Sequence, residues 1–328
     1  MPNIAILNYC NLKCPYCFAD DMIQQKKKIM SLDSFREILD YLAQSHSHER
    51  IGIIGGEPTL HPEFIKIINE VNQYCLREDV DATIFSNGIE LEKYLPMLGS
   101  RTSILLNCNA PENQTEEQYA KMISCLDTAY QLNLLKYEAK IVLGCNIYLE
   151  RTDYSYLWGL VDRYSLDIIR CSVCAPGGCY TKEWRHQDKK EEYYQRLKPV
   201  FMSFVRDAVR HRVKLILDCN QIPSCMLTED EQLLIDSITA EPKYPFCEPV
   251  VDINPDLKAT TCFGTYDIDI GKDVFIKDFA NMDELRRYLL LEKQLPRIKN
   301  NGTGACAECE LYKLYRCQGG CLSFGDPD

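Results

Sequence analysis

The sequence predicts an α/β fold: a partial (β/α)6 barrel of the TIM type, followed by a smaller cysteine-rich C-terminal region. Three observations carry this expectation. Short apolar runs ending in turn residues alternate with amphipathic helical stripes through the first half of the chain. The alternation breaks after Gly177–Gly178, and the 18 cysteines of the 328-residue chain include one tight group near the start and another near the end. Alternating strands and helices imply a parallel sheet with right-handed crossovers. About six such units fall short of the eight that close a barrel, so an open barrel is expected.

The expected strands are Ile4–Asn8, Ile51–Ile54, Ala82–Ser86, Ser103–Asn107, Lys140–Asn146 and Asp167–Cys171. Between them, Phe35, Ile38, Leu39 and Leu42 form one helical stripe, and Phe64, Ile67, Ile68 and Val71 form another. Pro62 suits the first turn of the second helix. Thr115 with Gln118 forms a capping box ahead of a stripe of Tyr119, Met122, Ile123 and Leu126. Farther on, a long helix is predicted over Lys189–His211, a strand over Lys214–Leu217 and a helix capped by Thr228 and Glu231. A β-hairpin, Pro249–Ile253 with Ala259–Cys262, turns at Asn254-Pro255-Asp256. A last helix over Asp283–Leu295 precedes the Gly- and Cys-rich tail. The expected organisation is a barrel core over 1–185, a bridging helix–strand–helix over 186–240 and an auxiliary region over 241–328.

A net charge of −11 argues against an extended phosphate-binding surface, so nucleic acid is not an expected partner. The Lys26–Lys28 run reads as a solvated loop. No apolar stretch is long enough for a signal peptide or a membrane span, and a reducing cytoplasm is the expected setting. There, clustered cysteines mean metal rather than disulfides.

Cys10, Cys14 and Cys17 form a Cys-x3-Cys-x2-Cys triplet directly after the first strand. Three thiolates suit an iron–sulfur cubane and leave one of its four irons open for a ligand. In barrel-like folds the reactive face gathers at the C-terminal ends of the strands. There the sequence places Gly55-Gly56-Glu57-Pro58 after strand two, Ser86-Asn87-Gly88 after strand three and Asn107 with Asn109 after strand four. Asn146 ends strand five, and Cys171, Cys174 and Cys179 follow strand six. A zinc site would want a fourth cysteine or histidine near the triplet, and none is within reach in sequence.

The triplet with Tyr16 before its last cysteine, and Gly-Gly-Glu-Pro after strand two, resembles the radical S-adenosylmethionine (radical SAM) superfamily. The resemblance implies that Cys10, Cys14 and Cys17 bind a 4Fe-4S cluster whose open iron chelates S-adenosylmethionine. It places the methionine amino group at Gly55, Gly56 and Glu57, beside Pro58. Ser86, Asn87, Asn107 and Asn146 would lie near the rest of the cofactor, and the Tyr16 backbone near adenine. Reductive cleavage would give a 5′-deoxyadenosyl radical that abstracts hydrogen from a substrate, with the electron from a flavodoxin- or ferredoxin-like donor.

The tail Cys306-x2-Cys309 and Cys317-x3-Cys321, with Cys247 and Cys262 upstream, resembles the SPASM auxiliary-cluster domain of peptide- and protein-modifying radical enzymes. Those include maturases of ribosomally made peptides and anaerobic sulfatase maturases, so a peptide or protein substrate is expected. A small-molecule radical enzyme, or a non-catalytic iron–sulfur or zinc protein, is the alternative. By the resemblance, Cys247, Cys262 and Cys321 share one 4Fe-4S cluster, with Cys219 or Cys225 as its fourth ligand. Cys306, Cys309 and Cys317 would hold a second, which is open, completed by a carboxylate such as Asp326, or absent. Leu257 stands where that family has a glycine, and seven residues separate Cys309 from Cys317 where five are usual. A structural zinc ribbon of the four tail cysteines is the other reading. With nine residues ahead of Cys10, no separate leader-binding domain is expected before the barrel. Cys75, Cys125, Cys108 and Cys145 read as small buried hydrophobes. Cys171, Cys174 and Cys179 are candidates to donate a hydrogen atom to a substrate radical or to contact an auxiliary cluster or, equally, are loop packing.

Overall fold

The computed structural model describes residues 1–325 apart from 18, 24–25, 46–48, 136–139, 150, 176–181, 219, 241–246, 248–249 and 266–272. Seven strands run parallel in chain order: β1 (Asn3–Ala5), β2 (Ile51–Ile54), β3 (Ala82–Ser86), β4 (Thr102–Asn107), β5 (Ile141–Ile147), β6 (Ile168–Val173) and β7 (Lys214–Leu217). Each expected strand is present. The short bridge strand over Lys214–Leu217 pairs with β6 and so extends the same sheet. At the other edge the hairpin β8 (Asp252–Ile253) and β9 (Ala259–Thr260) adds on, with β8 parallel to β1. The sheet is thus open, with no pairing between β7 and β9.

Helices α1 (Asp20–Ile23), α2 (Leu32–Ala43), α3 (Phe64–Glu78), α4 (Glu116–Gln131), α5 (Ser155–Tyr164), α6 (Lys190–Arg210) and α7 (Glu229–Ile238) alternate with or follow the strands. The predicted stripes Phe35/Ile38/Leu39/Leu42, Phe64/Ile67/Ile68/Val71 and Met122/Leu126 are buried in one continuous core against the sheet. Both predicted capping boxes form, at Thr115/Gln118 and Thr228/Glu231. Pro62 precedes α3 rather than opening it. The reason is local: His61 accepts the Glu63 N–H on its own ring nitrogen at 3.1 Å, and helical bonding starts after that turn. The last predicted helix is α8 (Met282–Tyr288), a wider turn over Leu289–Gln294 and α9 (Leu295–Asn300). Pro296 donates no N–H and its ring crowds the preceding turn, so the helix widens ahead of it. A short helix, α10 (Glu310–Lys313), lies in the tail.

Successive residues of a strand face opposite sides of the sheet. Ile4, Ile53, Ile84, Ile104, Leu143, Ile169 and Leu215 are buried in the helix-side core. Their neighbours face the other side, where Thr83, Ser103, Leu105, Val142 and Arg170 line a cavity of about 360 Å³. Gly52 is required there, because a Cβ at that position would run into the Asn3 side chain. Asn3 in turn donates to Asp252 Oδ1 at 2.7 Å, and Asp252 Oδ2 accepts Phe263 N–H at 2.7 Å. This polar join fixes the hairpin to the barrel edge. Leu257, in the hairpin turn, has φ of 63°, the conformation for which glycine is the usual choice. Among the described residues no helix is long and apolar enough to cross a membrane.

Candidate metal and cofactor site

The loop after β1 carries the cysteine triplet, and the loop after β2 holds it from beneath. Gly56 N–H donates to Leu7 O at 3.2 Å and Glu57 N–H to Tyr9 O at 3.0 Å. A Cβ at Gly55 would stand 2.6 Å from Leu7 O, and one at Gly56 would overlap the Tyr9 carbonyl and lie 2.8 Å from Cys10 N. Only paired glycines let the two loops approach this closely.

Glu57 is fully buried, yet its carboxylate does not face open space. Oε1 accepts from Thr59 N–H at 3.2 Å, Thr59 Oγ1 at 2.6 Å and Ser86 Oγ at 2.8 Å, while Oε2 accepts Asn87 N–H at 2.7 Å. Burial pushes this carboxyl up, and the four bonds pull against that shift. The side chain therefore locks the loops after β2 and β3 together, and Pro58 and Thr59 enter the short turn behind it. Asn87 Nδ2 donates to Asn11 Oδ1 at 2.7 Å and lies 3.9 Å from Cys10 Sγ.

The three cysteines are half-buried. Cys10 Sγ accepts Leu12 N–H at 3.4 Å, and Cys14 Sγ lies 3.3 Å from Asn109 Oδ1. The Tyr16 hydroxyl also donates to Asn109, and the Tyr16 ring stands 5.0 Å from that of Tyr148. Burial pushes the Cys10 thiol up to about 11, so a thiolate at this depth calls for a cation beside it. The amide two residues on, aimed at the sulfur, recurs in the tail: Gly264 N–H reaches Cys262 Sγ at 3.3 Å and Gly319 N–H reaches Cys317 Sγ at 3.4 Å. Amide hydrogen bonds to cysteine sulfur are what iron–sulfur sites use to stabilise ligand charge. The donor set thus fits a cluster. Among the described residues no three His, Cys, Asp or Glu groups close on a point as they would around one metal ion. A cubane makes no such demand, since each of its thiolates binds a different iron.

On the remaining rim, Asn107 lies over Gly144 of the next strand, where a Cβ would stand 3.1 Å from its Oδ1. Asn146 is half-buried, and its carbonyl accepts the Tyr154 hydroxyl at 3.4 Å. Cys174 Sγ lies 3.6 Å from the Tyr16 carbonyl, directly against the triplet loop. Cys171 pairs across the strands with Cys145, and both are buried in the helix-side core. Cys179, Cys219 and Asp326 lie outside the described residues. Cys75, Cys108, Cys125 and Cys145 are buried, and desolvation raises all four thiols, Cys75 to about 11. In the tail, Gln318 Nε2 donates to Cys247 Sγ at 3.1 Å, and Cys321 Sγ sits 3.0 Å from Ser323 Oγ. Ser323 packs on Gly264, next to Cys262, which brings Cys321 and Cys262 to one neighbourhood.

Asn8 and Asn11 were not singled out as site residues by their sequence positions, whereas Asn109 was already placed on the rim after strand four. Asn8 Oδ1 accepts Lys28 N–H at 2.6 Å and its Nδ2 donates to Lys26 O at 3.0 Å, closing the loop behind the triplet. Asparagines flanking a cysteine motif were the available signal.

Residues 4–137 match the sequence model described as the Radical SAM superfamily. The family's cofactors are a 4Fe-4S cluster and S-adenosylmethionine. GTP 3′,8-cyclase of Clostridium acetobutylicum is 32% identical over 155 residues, 44% of this chain and 48% of that protein. GTP 3′,8-cyclase of Synechocystis sp. is 26% identical over 199 residues, 57% of this chain and 56% of that protein. The chain thus spans about half the length of these curated relatives. Among solved structures, Streptococcus suis SuiB has the same fold over 98% of this chain and 72% of its own, with a TM-score of 0.64 at 15% identity. SuiB bound to its precursor peptide SuiA matches with a TM-score of 0.61 at 16% identity, over 99% of this chain and 74% of its own.

Proposed function

We propose that this chain is a radical S-adenosylmethionine enzyme that abstracts hydrogen from a peptide or protein side chain. The observation that carries the reading is the glycine-dependent docking of Gly55–Glu57 under the Cys10–Cys17 loop, inside the segment that matches the superfamily. Cys10, Cys14 and Cys17 would hold three irons and leave the fourth for the methionine amino and carboxylate groups. Once bound, these cofactors supply an electron to cleave the sulfonium and a 5′-deoxyadenosyl radical to take a hydrogen atom. The chain's own residues hold that chemistry in place. Backbone groups of Gly55 and Gly56 would receive the methionine end, Glu57 fixes their loop to Ser86 and Asn87, and Asn107 and Asn146 would line the rim.

Of the described cysteines after β6, Cys174, against the Tyr16 carbonyl, would be the one to return a hydrogen atom to a substrate radical. Cys171 is turned into the helix-side core, so of the two it is the less suited. An external flavodoxin- or ferredoxin-like donor in the same cytoplasmic setting would supply the electron.

The peptide substrate is supported by the cysteine-rich tail and by the likeness to SuiB, which extends through it. A second reading, a small-molecule substrate, is favoured by the GTP 3′,8-cyclase relatives. Their likeness covers about half of this chain. The test is anaerobic reconstitution with dithionite, S-adenosylmethionine and either GTP or peptides encoded beside the gene. Formation of 5′-deoxyadenosine above a Cys10→Ala/Cys14→Ala/Cys17→Ala variant is expected, and its absence would sink the enzyme reading. A mass change on GTP but on no peptide would replace the first substrate reading with the second.

A further inference from the structure

Side chains alternate along β6: Ile169, Cys171 and Val173 are buried in the helix-side core, which turns Arg170 and Ser172 to the opposite face of the sheet. An arginine within a parallel sheet is uncommon, because burying its charge is costly unless partners meet it. Arg170 lines the cavity of about 360 Å³ on that face, whose apolar walls are Leu105, Val142 and Ile216. Its Nη2 donates to Asp218 Oδ2 at 2.8 Å, and the guanidinium stands 5.4 Å from the centre of the Phe85 ring. A guanidinium carries five N–H donors in a rigid fork, and the bond to Asp218 uses one of them.

Three sets of contacts place this guanidinium just below the rim that carries Asn107 and Asn146. Arg170 pairs across the strands with Gly144, and Gly144 with Asn107. A Cβ at Gly144 would stand 3.1 Å from Asn107 Oδ1 and 3.2 Å from the Leu105 side chain, so the glycine keeps open the space between Asn107 and Arg170. Ser172, the next residue of β6 on the same face, pairs with Asn146, and one such step along a strand is about 6.6 Å. Phe85 packs against the apolar group of Ala5, Met22, Ile54 and Phe263, which Cys17 also borders. Arg170 is therefore one pleat below Asn146 and one aromatic ring away from the apolar group beside the triplet.

The charged residues lining the cavity are Arg50, Arg170 and Asp218, a net charge of one positive in a chain of net −11. Asp81, which faces Arg50 at 3.4 Å, is shared with Arg101 at 3.5 Å. A monoanion matches that balance, whereas the several charges of a nucleoside triphosphate exceed it. The volume is at the small end of ligand pockets, about 300–1,000 Å³, which suits a single residue of a peptide. The apolar walls lower the local dielectric and strengthen a pairing made between them.

We infer that Arg170 is a specificity-determining residue that takes a carboxylate of the substrate, with Asp218 holding the guanidinium in place. The fork donates two parallel hydrogen bonds to the carboxylate, and this fixes which carbon of the same residue faces the rim. No bond is made or broken at Arg170 itself. The inference deepens the reading of a peptide substrate and rests on it.

The test measures binding of small probes to the full chain by saturation-transfer NMR titration. It is run in the Cys10→Ala/Cys14→Ala/Cys17→Ala protein, while 5′-deoxyadenosine formation is measured separately on the reconstituted wild type. N-acetylglutamate methylamide carries a side-chain carboxylate, N-acetylglutamine a terminal one, and N-acetylglutamine methylamide none. At least one carboxylate probe is expected to bind about 10-fold or more tightly than the neutral one, and the tighter of the two names the source of the carboxylate. Arg170→Met should weaken that probe by about 10- to 100-fold. Asp218→Asn removes a competing carboxylate and keeps the guanidinium, so it should tighten the same probe several-fold. Arg170→Met/Asp218→Asn strands no charge and replaces the single variant if melting shows that Arg170→Met fails to fold. An ion pair that only joins β6 to β7 gives no preference for a carboxylate and no gain in Asp218→Asn, and either result overturns the inference. Binding of none of the probes, or tighter binding of GTP than of both carboxylates, overturns it as well. Selective probe binding without S-adenosylmethionine cleavage defeats the enzyme reading alone, and cleavage with unselective binding defeats this assignment alone.

Discussion

Replacing Gly56 with alanine tests the site at its tightest point. The added Cβ would overlap the Tyr9 carbonyl and stand 2.8 Å from Cys10 N, all of it backbone that no rotamer change can move aside. The cluster loop must withdraw by about 1 Å, and overpacking of this kind costs about 1–3 kcal/mol. In a chain of this size that lowers the melting temperature by roughly 1–4 °C. The same movement lengthens the bonds from Gly56 N–H to Leu7 O and from Glu57 N–H to Tyr9 O, now 3.2 and 3.0 Å. A misplacement of about 1 Å near reacting atoms costs on the order of 100-fold in rate. The assay measures iron per chain, melting temperature and 5′-deoxyadenosine yield on the same anaerobic preparation. The expected result is retained iron and folding with a yield reduced about 100-fold. A Gly56→Ala protein that cleaves S-adenosylmethionine at the wild-type rate would refute the argument that loop contact sets the cofactor geometry.

Further expectations follow from single residues. Burial raises the Asp252 carboxyl to about 7 from an ordinary 3.8, so its contribution to stability is complete below about pH 4 and is lost as the pH rises through 7. Asp252→Asn should flatten the fall in urea midpoint between pH 4 and 7, a difference worth up to about 4 kcal/mol; an unchanged pH slope would exclude this group as its source. Glu57→Gln turns an N–H toward a donor in a network that now offers four hydrogens to the carboxylate, and should cost about 1–3 kcal/mol by denaturant unfolding. Lys190→Met strands the Asn301 and Gly319 carbonyls and should cost a similar 1–3 kcal/mol, read from the same melts; a neutral result would mean the buried ammonium holds nothing in place. Cys174→Ala should leave 5′-deoxyadenosine formation intact while product accumulation drops, whereas Cys171→Ala should leave both intact. Equal product from the Cys174 variant would remove its proposed donor role.

Much of this was legible in the sequence because it is encoded locally. Apolar spacing marked the strands from Ile4 to Cys171 and the stripes on α2, α3 and α4. Thr115 with Gln118 and Thr228 with Glu231 marked their caps. The triplet at Cys10–Cys17 and the glycines at 55 and 56 announced a close-packed cluster loop, because few other reasons bring those residue types to those spacings. The widened turn before Pro296 and the left-handed Leu257 were readable only in outline, since backbone strain depends on what surrounds it.

What the sequence by itself determined is therefore the set of elements and the chemistry each loop can offer. Only the tertiary structure decided which distant pieces meet. The parallel pairing of β8 with β1 depends on Asp252 reaching Asn3 from 249 residues away. The turning of Glu57 into Ser86 and Asn87, rather than toward a ligand, depends on two loops packing at the same strand ends. The joining of the loop after β7 to the tail depends on Tyr194 of α6 bonding both Asn220 and Cys321. Periodicity and motif spacing describe neighbours along a chain, whereas these contacts are chosen by the burial and hydrogen-bond demands of side chains that meet only once the sheet has formed.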